Sequence, residues 1–334
     1  MAEGSDGQPF ARDSLRVLAV ATVLTLATSS QGLLTTASKT NGVYLYNFAT
    51  VPLLSELCKF LVSLHLLMSD RRKDASKVNV TTDPRTVATY LIPSIIYLVH
   101  NNVQFMTLKY VDPSTYQILG NLKIVTTGVM FRVFLKRRLS KLQWIALMLL
   151  MVGATTSQVS GCGGGTFSAP IEGYMLGLLS AFLSALAAVY TEYIMKRNDD
   201  SLYWQNMQLY GFGVLFNALR LTFDDINNGF NKGAWPFTMF DGYDAITVLV
   251  VCNLAFTGLL VSWVMKYADS IVKVYSTSMA MLVTMVVSIF LFGISPNMQL
   301  VLGIITASAS LQLYYMQPRD LLPGGGVKSS VLPK

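Results

Sequence analysis

The chain has 334 residues, 52% of them hydrophobic and only 13% charged, with a mean hydropathy of +0.48. Soluble domains carry about 25% charged residues, so the composition excludes an ordinary water-soluble enzyme and points to a polytopic membrane protein. The formal charge of +7 does not describe a nucleic-acid-binding face, because the basic residues lie in short clusters between apolar runs, as positive-inside loops do.

Residues 1–13 are polar and expected to form a disordered cytosolic N-terminus. The first apolar run, 15–37, is too long for the core of a cleavable signal and is read as the first helix. Ten membrane spans are expected, at about 15–37, 43–68, 86–108, 113–135, 142–160, 171–195, 202–221, 245–267, 270–293 and 297–316. The tail 317–334 is Pro/Gly-rich and expected to be a flexible cytosolic segment. Cys58 and Cys252 fall inside spans and Cys162 in a glycine-rich loop, so neither a structural disulfide nor a metal site is expected.

The connecting loops alternate in charge. Seventeen basic residues fall on one side, including Arg71, Arg72, Lys73, Lys136, Arg137, Arg138, Lys196 and Arg197. Lys39, Lys109, Arg220 and Lys232 fall on the other. That asymmetry places both termini in the cytosol. The sequon Asn79-Val80-Thr81 then faces the cytosol and is expected to stay unglycosylated.

An internal repeat supports this topology. Lys109-Tyr110-Val111-Asp112 opens the fourth span and Lys266-Tyr267-Ala268-Asp269 opens the ninth, 157 residues later. Gln143 and Gln299 are 156 apart. The fourth span starts from the lumenal side and the ninth from the cytosolic side. The expected fold is therefore all-α, with inverted five-helix repeats over 14–160 and 161–316.

The stretch 108–132 carries the strongest chemical signal. Lys123 stands near the middle of a bilayer-length apolar segment, where a charge costs about 2.5–3.5 kcal/mol on insertion scales. Tyr116 lies two helical turns earlier, on nearly the same face. An aromatic ring and a cation on one wall of a cavity suit an anionic ligand with a flat ring, such as a nucleotide; the alternative is a lysine that snorkels or pairs with a carboxylate of another helix. Adding the repeat offset to Tyr116 gives Lys273, expected on the facing wall and roughly 18 Å away in depth.

Other polar residues fall inside the spans. Glu56 and Lys59 are three apart and can pair with each other, or serve as movable partners for Lys123 or for substrate. Glu192 and Arg132 are placed near cytosolic ends, where snorkelling is easy. His65 is expected near the surface. His100 suits either a proton relay or a hydrogen-bonded packing role. Asn101 and Asn102 suit a base edge or a ribose hydroxyl. Asn206, Gln208 and Tyr210 cannot all share one helical face and suit either the cavity or interhelical hydrogen bonds. The sequence has no metal motif, P-loop or catalytic triad, so an enzyme or ATP-driven pump is disfavoured and no cofactor is expected.

At the motifs NNVQFMTLKYVDPSTYQILGNLKI, SKLQW, SLYWQNMQLY and KYADSIVKVYS the sequence resembles the Golgi nucleotide-sugar transporters of the drug/metabolite transporter superfamily. Its nearest branch is the CMP-sialic acid transporter type, plant members included. The resemblance implies alternating access and exchange of a cytosolic nucleotide sugar for lumenal nucleoside monophosphate across the Golgi membrane. It implies a substrate site at Asn102, Tyr116, Lys123, Asn206, Tyr210 and Lys273. Secondary candidates are Glu56, Lys59, Asn101, Asn121, Gln208, Glu192 and Ser276. Gly120-Asn121 and Phe212 depart from the pattern of animal relatives, which bears on the sugar more than on the nucleotide. A UDP-sugar transporter on the same scaffold and a proton-coupled metabolite exporter remain the alternatives.

Overall fold

In the hydrocarbon interior a backbone can satisfy its polar groups only internally, and an apolar segment does so as a helix. The computed structural model, which describes residues 8–40, 44–111, 113–158, 170–230, 233–292 and 298–316, is accordingly helical. Its long helices are α1 (Gln8–Ala37), α2 (Thr50–Lys73), α3 (Leu91–Tyr110), α4 (Pro113–Phe134), α5 (Lys141–Gln158), α6 (Ile171–Arg197), α7 (Leu202–Asn227), α8 (Ala245–Tyr267), α9 (Ser270–Phe292) and α10 (Met298–Tyr315). Six are long and apolar enough to cross a membrane: α1, α2, α6, α8, α9 and α10. Polar residues dilute the apolar run in the others: His100, Asn101 and Asn102 in α3, Asn121 and Lys123 in α4, and Asn206 and Gln208 in α7.

Several boundaries differ from expectation for local reasons. α1 begins at Gln8, inside the segment expected to be a disordered tail. α2 begins at Thr50 rather than 43, because the residues before it form an aromatic cluster. Tyr44, Tyr46 and Phe48 pack together, and Tyr46 meets Tyr243 edge-on with ring centroids 5.4 Å apart. Gly242 allows this contact: its φ of +74° suits glycine, and a Cβ there would strike the Leu45 carbonyl. The third expected span divides at Tyr90 into a short helix, Pro84–Thr89, and α3; Asp83 accepts from the Thr86 N–H at 3.1 Å and starts the short helix. α7 runs to Asn227, well past the expected end at 221. Cys162 and the tail from 317 lie outside the described residues.

The helix pairings follow a pattern. α5 packs most extensively on α10, and α2 packs on α7. α3 packs on α6 as α1 packs on α8, and α4 packs on α6 as α1 packs on α9. Each of these pairs maps onto itself or onto another when five is added to each helix number, counting in a circle. Gly153 and Gly303 let α5 and α10 touch backbone to backbone; a Cβ on Gly153 would lie 3.0 Å from the Gly303 carbonyl oxygen. Around this crossing, Ile124, Leu147, Leu150, Ile271 and Ala307 form a fully buried apolar core.

A polar knot ties two connections to α8 at one end of the bundle. Lys266 donates to the carbonyls of Met195 at 2.8 Å, Asn198 at 3.1 Å and Asp200 at 3.2 Å, pinning the α6–α7 connection to α8. Asp200 accepts from the N–H and hydroxyl of Thr81, while Trp204 donates to the Thr81 carbonyl, which brings in the α2–α3 connection. Asn79 donates its side-chain amide to the Asp199 carbonyl. Lys266→Met leaves three carbonyls without their charged donor. It is expected to cost about 1.5–3 kcal/mol, read as a lowered thermal midpoint in detergent; an unchanged midpoint would show that the knot contributes nothing to stability.

Candidate functional site

Two groups of polar side chains line neighbouring parts of the bundle, joined by consecutive residues of α3. The first surrounds a cavity of about 240 Å³ between α2, α3, α7 and α8. Lys59 donates to Glu56 at 2.7 Å, so the expected in-helix pair forms. The Lys59 ammonium also sits 4.3 Å from the centroid of the Tyr210 ring. The Tyr210 hydroxyl donates to the Gly258 carbonyl at 3.1 Å and hydrogen-bonds Ser262. Two glycines make room for the ion pair. A Cβ on Gly213 would lie 2.8 Å from a Glu56 carboxylate oxygen, and one on Gly258 would lie 2.6 Å from the Lys59 stem. Asn101 faces the same cavity.

The second group lies where α3, α4, α6 and α9 meet. Tyr116 hydrogen-bonds the Ser180 side chain, and Ser180 also reaches His100 Nδ1 at 3.4 Å. His100 thus has a hydrogen-bond partner and lies within Coulombic reach of both Lys123 and Lys273. The two lysines are themselves close enough to repel each other. Among the described residues, neither has a carboxylate within ion-pair distance.

Asn206 and Tyr210 share a face of α7, and the Asn206 side-chain carbonyl is buried without a partner. Gln208, also buried, has neither amide atom partnered and does not line the cavity. Asn102 is exposed and donates back to the Leu98 carbonyl of its own helix at 2.8 Å. Asn121 is buried and donates to Thr155 and Gln158 of α5, which makes it an interhelical tie. Ser276 is buried, and its carbonyl accepts from Thr25 of α1. Glu192 requires a correction. It does not snorkel but is wholly buried, accepting from the Ser270 N–H at 2.7 Å and from Lys196 at 2.7 Å. A carboxylate at the first turn of α9 complements the unpaired N–H groups and helix dipole, so its oxygens are committed to structure rather than to a ligand. Arg132 is exposed, in keeping with snorkelling, and so is His65.

Sequence reasoning missed Ser180, Gly213, Gly258 and Arg220. Arg220 falls at the end of the seventh expected span, 202–221, among the loop charges; the longer α7 makes it a cavity-lining residue. The continuing helix-compatible run 222–227 was the available signal. Nothing in the sequence alone singles out the two glycines.

A polytopic helical bundle with a polar cavity and uncompensated cations at depth belongs to the class of membrane transport proteins. The comparisons are specific. A family profile described as nucleotide-sugar transporter matches residues 12–315. CMP-sialic acid transporter 1 of Arabidopsis thaliana is 60% identical over 308 residues, covering 91% of each chain. CMP-sialic acid transporter 1 of Oryza sativa subsp. japonica is 59% identical over 301 residues, covering 89% of this chain and 93% of its own. One solved crystal structure shares the fold with a TM-score of 0.67 at 14% identity, over 89% of this chain and 96% of that one. The chain belongs to the nucleotide-sugar transporter family.

Tyr116 offers a test of ring against hydroxyl. Base stacking on an aromatic ring is worth about 1–3 kcal/mol, and a net hydrogen bond about 0.5–1.5 kcal/mol. If the ring is a base platform, Tyr116→Phe should bind nucleoside monophosphate within a few-fold of wild type, and Tyr116→Ala about 5- to 150-fold more weakly. Nucleotide-induced thermal shifts measure both. Equal, small losses in the two variants would leave Tyr116 only its tie to Ser180.

Proposed function

We propose that this protein is a nucleotide-sugar antiporter that exchanges a cytosolic CMP-linked sugar for lumenal CMP across the Golgi membrane by alternating access. The observation that carries the reading is the pair Lys123 and Lys273. Two like charges held within mutual reach at membrane depth are costly unless an anion joins them, and a phosphate supplies one. Tyr116 and the amides of Asn102 and Asn206 are assigned to the base and ribose. CMP rather than UMP rests on the plant relatives, whose names specify CMP-sialic acid. All ten long helices are taken to cross the membrane as two inverted five-helix repeats, a reading supported by the circular pattern of pairings. The charge asymmetry of the loops supports cytosolic termini. Exchange is driven by the gradients of the two nucleotides.

Counterflow in proteoliposomes tests this. Protein loaded with CMP should take up labelled CMP-sugar, and UMP should compete poorly; efficient UMP exchange without CMP exchange would move the assignment to UDP-sugars. Uptake driven by a pH gradient without any counter-nucleotide would replace it with a proton-coupled exporter. Lys123→Ala and Lys273→Ala should each nearly abolish exchange while the protein remains folded, because removing an uncompensated charge relieves an insertion cost rather than adding one. Normal exchange rates in both variants would overturn the phosphate assignment.

A further inference from the structure

We propose that Lys196 and Lys266 form a latch that holds the cytosolic end of the bundle shut in this structure, and that Lys39 and Lys109 form its mirror image, which shuts the lumenal end when the carrier turns over. This rests on the antiporter reading above, with its inverted repeats, and names the contacts exchanged as access alternates. Lys39 and Lys196 stand 157 residues apart, the same offset as Lys109 and Lys266. Each lies at a helix C-terminus: Lys39 just past α1, Lys109 in the last turn of α3, Lys196 in the last turn of α6 and Lys266 in the last turn of α8. The last carbonyls of a helix have no partner within it, and that end carries partial negative charge. A lysine from a neighbouring helix end answers both, with three donors on one ammonium.

At the cytosolic end the exchange is reciprocal. Lys266 of α8 donates to the carbonyls of Met195, Asn198 and Asp200 at and beyond the end of α6. Lys196 of α6 donates in return to the Ala268 carbonyl just beyond α8. By the same offset, Ser38 is the counterpart of Met195 and Val111 the counterpart of Ala268. The mirror latch therefore joins Lys109 to the Ser38 carbonyl and Lys39 to the Val111 carbonyl. In this structure that latch is open. Lys109 is exposed, and among the described residues its ammonium holds no hydrogen bond or ion pair. Lys39 is exposed too, with its ammonium 5.1 Å from the centroid of the Tyr44 ring. The helix pairings break their symmetry at the same place. α6 packs against α8 and α9, whereas the mirror pairings of α1 with α3 and with α4 are marginal or absent among the described residues.

The two latches are unequal. Glu192 accepts from Lys196 at 2.7 Å and from the Ser270 N–H at 2.7 Å, so one carboxylate fastens the cytosolic latch to the start of α9. The counterparts of Glu192 and Ser270 are Thr35 and Pro113. Threonine brings no charge and proline no N–H. The lumenal latch is thus the weaker, and the empty carrier rests with its cytosolic end shut.

The test reads how often the cytosolic end opens. Thr191 is buried, lines the cavity and lies near the cytosolic end of α6. Thr191→Cys, in the full-length protein with Cys58, Cys162 and Cys252 replaced by alanine, reports opening by its reaction with a membrane-impermeant maleimide outside sealed, cytosol-out vesicles. Lys196→Met with Lys266→Met should raise the labelling rate about tenfold or more. Lys39→Met with Lys109→Met should lower it by a similar factor, and Lys39→Arg with Lys109→Arg, which keeps the donors, should restore it. The lumenal lysines are exposed in this structure, so a fold without a second latch has no reason to respond to their loss, and that arm decides the matter even if Lys266→Met fails to fold. Labelling unmoved by the lumenal pair, or shifted in the same direction by both pairs, overturns the inference while CMP counterflow leaves the antiporter reading intact. Opposite shifts in a protein that shows no nucleotide counterflow support the latches and overturn the antiporter reading instead.

Discussion

The structure depends on how it treats charge where water cannot reach. A charged side chain in the hydrocarbon region must be paired, tied to carbonyls or turned into a cavity. Lys59 is paired with Glu56 and rests on the Tyr210 ring. Lys266 is held by three carbonyls. Glu192 joins Lys196 and the first turn of α9. Set against these neutralised groups, Lys123 and Lys273 stand out, because neither has an ion-pair partner among the described residues. Under the proposed function these two cations are the ones that meet the ligand's phosphate.

The space for these charges is made by residues with no side chain. Glu56 and Lys59 project from α2 into slots at Gly213 of α7 and Gly258 of α8. The shape of the cavity wall is therefore fixed by what is missing from α7 and α8 as much as by what α2 supplies. Ser180 acts similarly on the other side of α3. One small hydroxyl joins a residue from α3 and one from α4, so the orientation of Tyr116 depends on a third helix.

Much of this architecture was legible in the sequence because membrane helices are written in long apolar runs that need no tertiary information to recognise. The start of α8 and the exposed face of Arg132 were readable from local pattern. The delayed start of α2 was not: it depends on Tyr243 and Gly242, almost two hundred residues away, meeting Tyr44, Tyr46 and Leu45. Glu192 was misread for the same reason. Distance from a helix end suggested access to solvent, but the neighbouring start of α9 closes over it. At the site, the lysines could be picked out because each breaks an apolar run. Ser180 and the two glycines break nothing, and their contribution exists only once helices from distant parts of the chain are laid together.

The crossing of α5 and α10 has a mechanical consequence. With Gly153 and Gly303 in backbone contact, the two helices have almost no side-chain cushion there. A sliding motion would drive carbonyl against carbonyl. Tyr275 of α9, sharing a hydrogen bond with Ser310 of α10, and Ser310, donating to the Ala146 carbonyl of α5, rivet the same region from a third helix. At this crossing the packing leaves α5 and α10 little room to slide past each other.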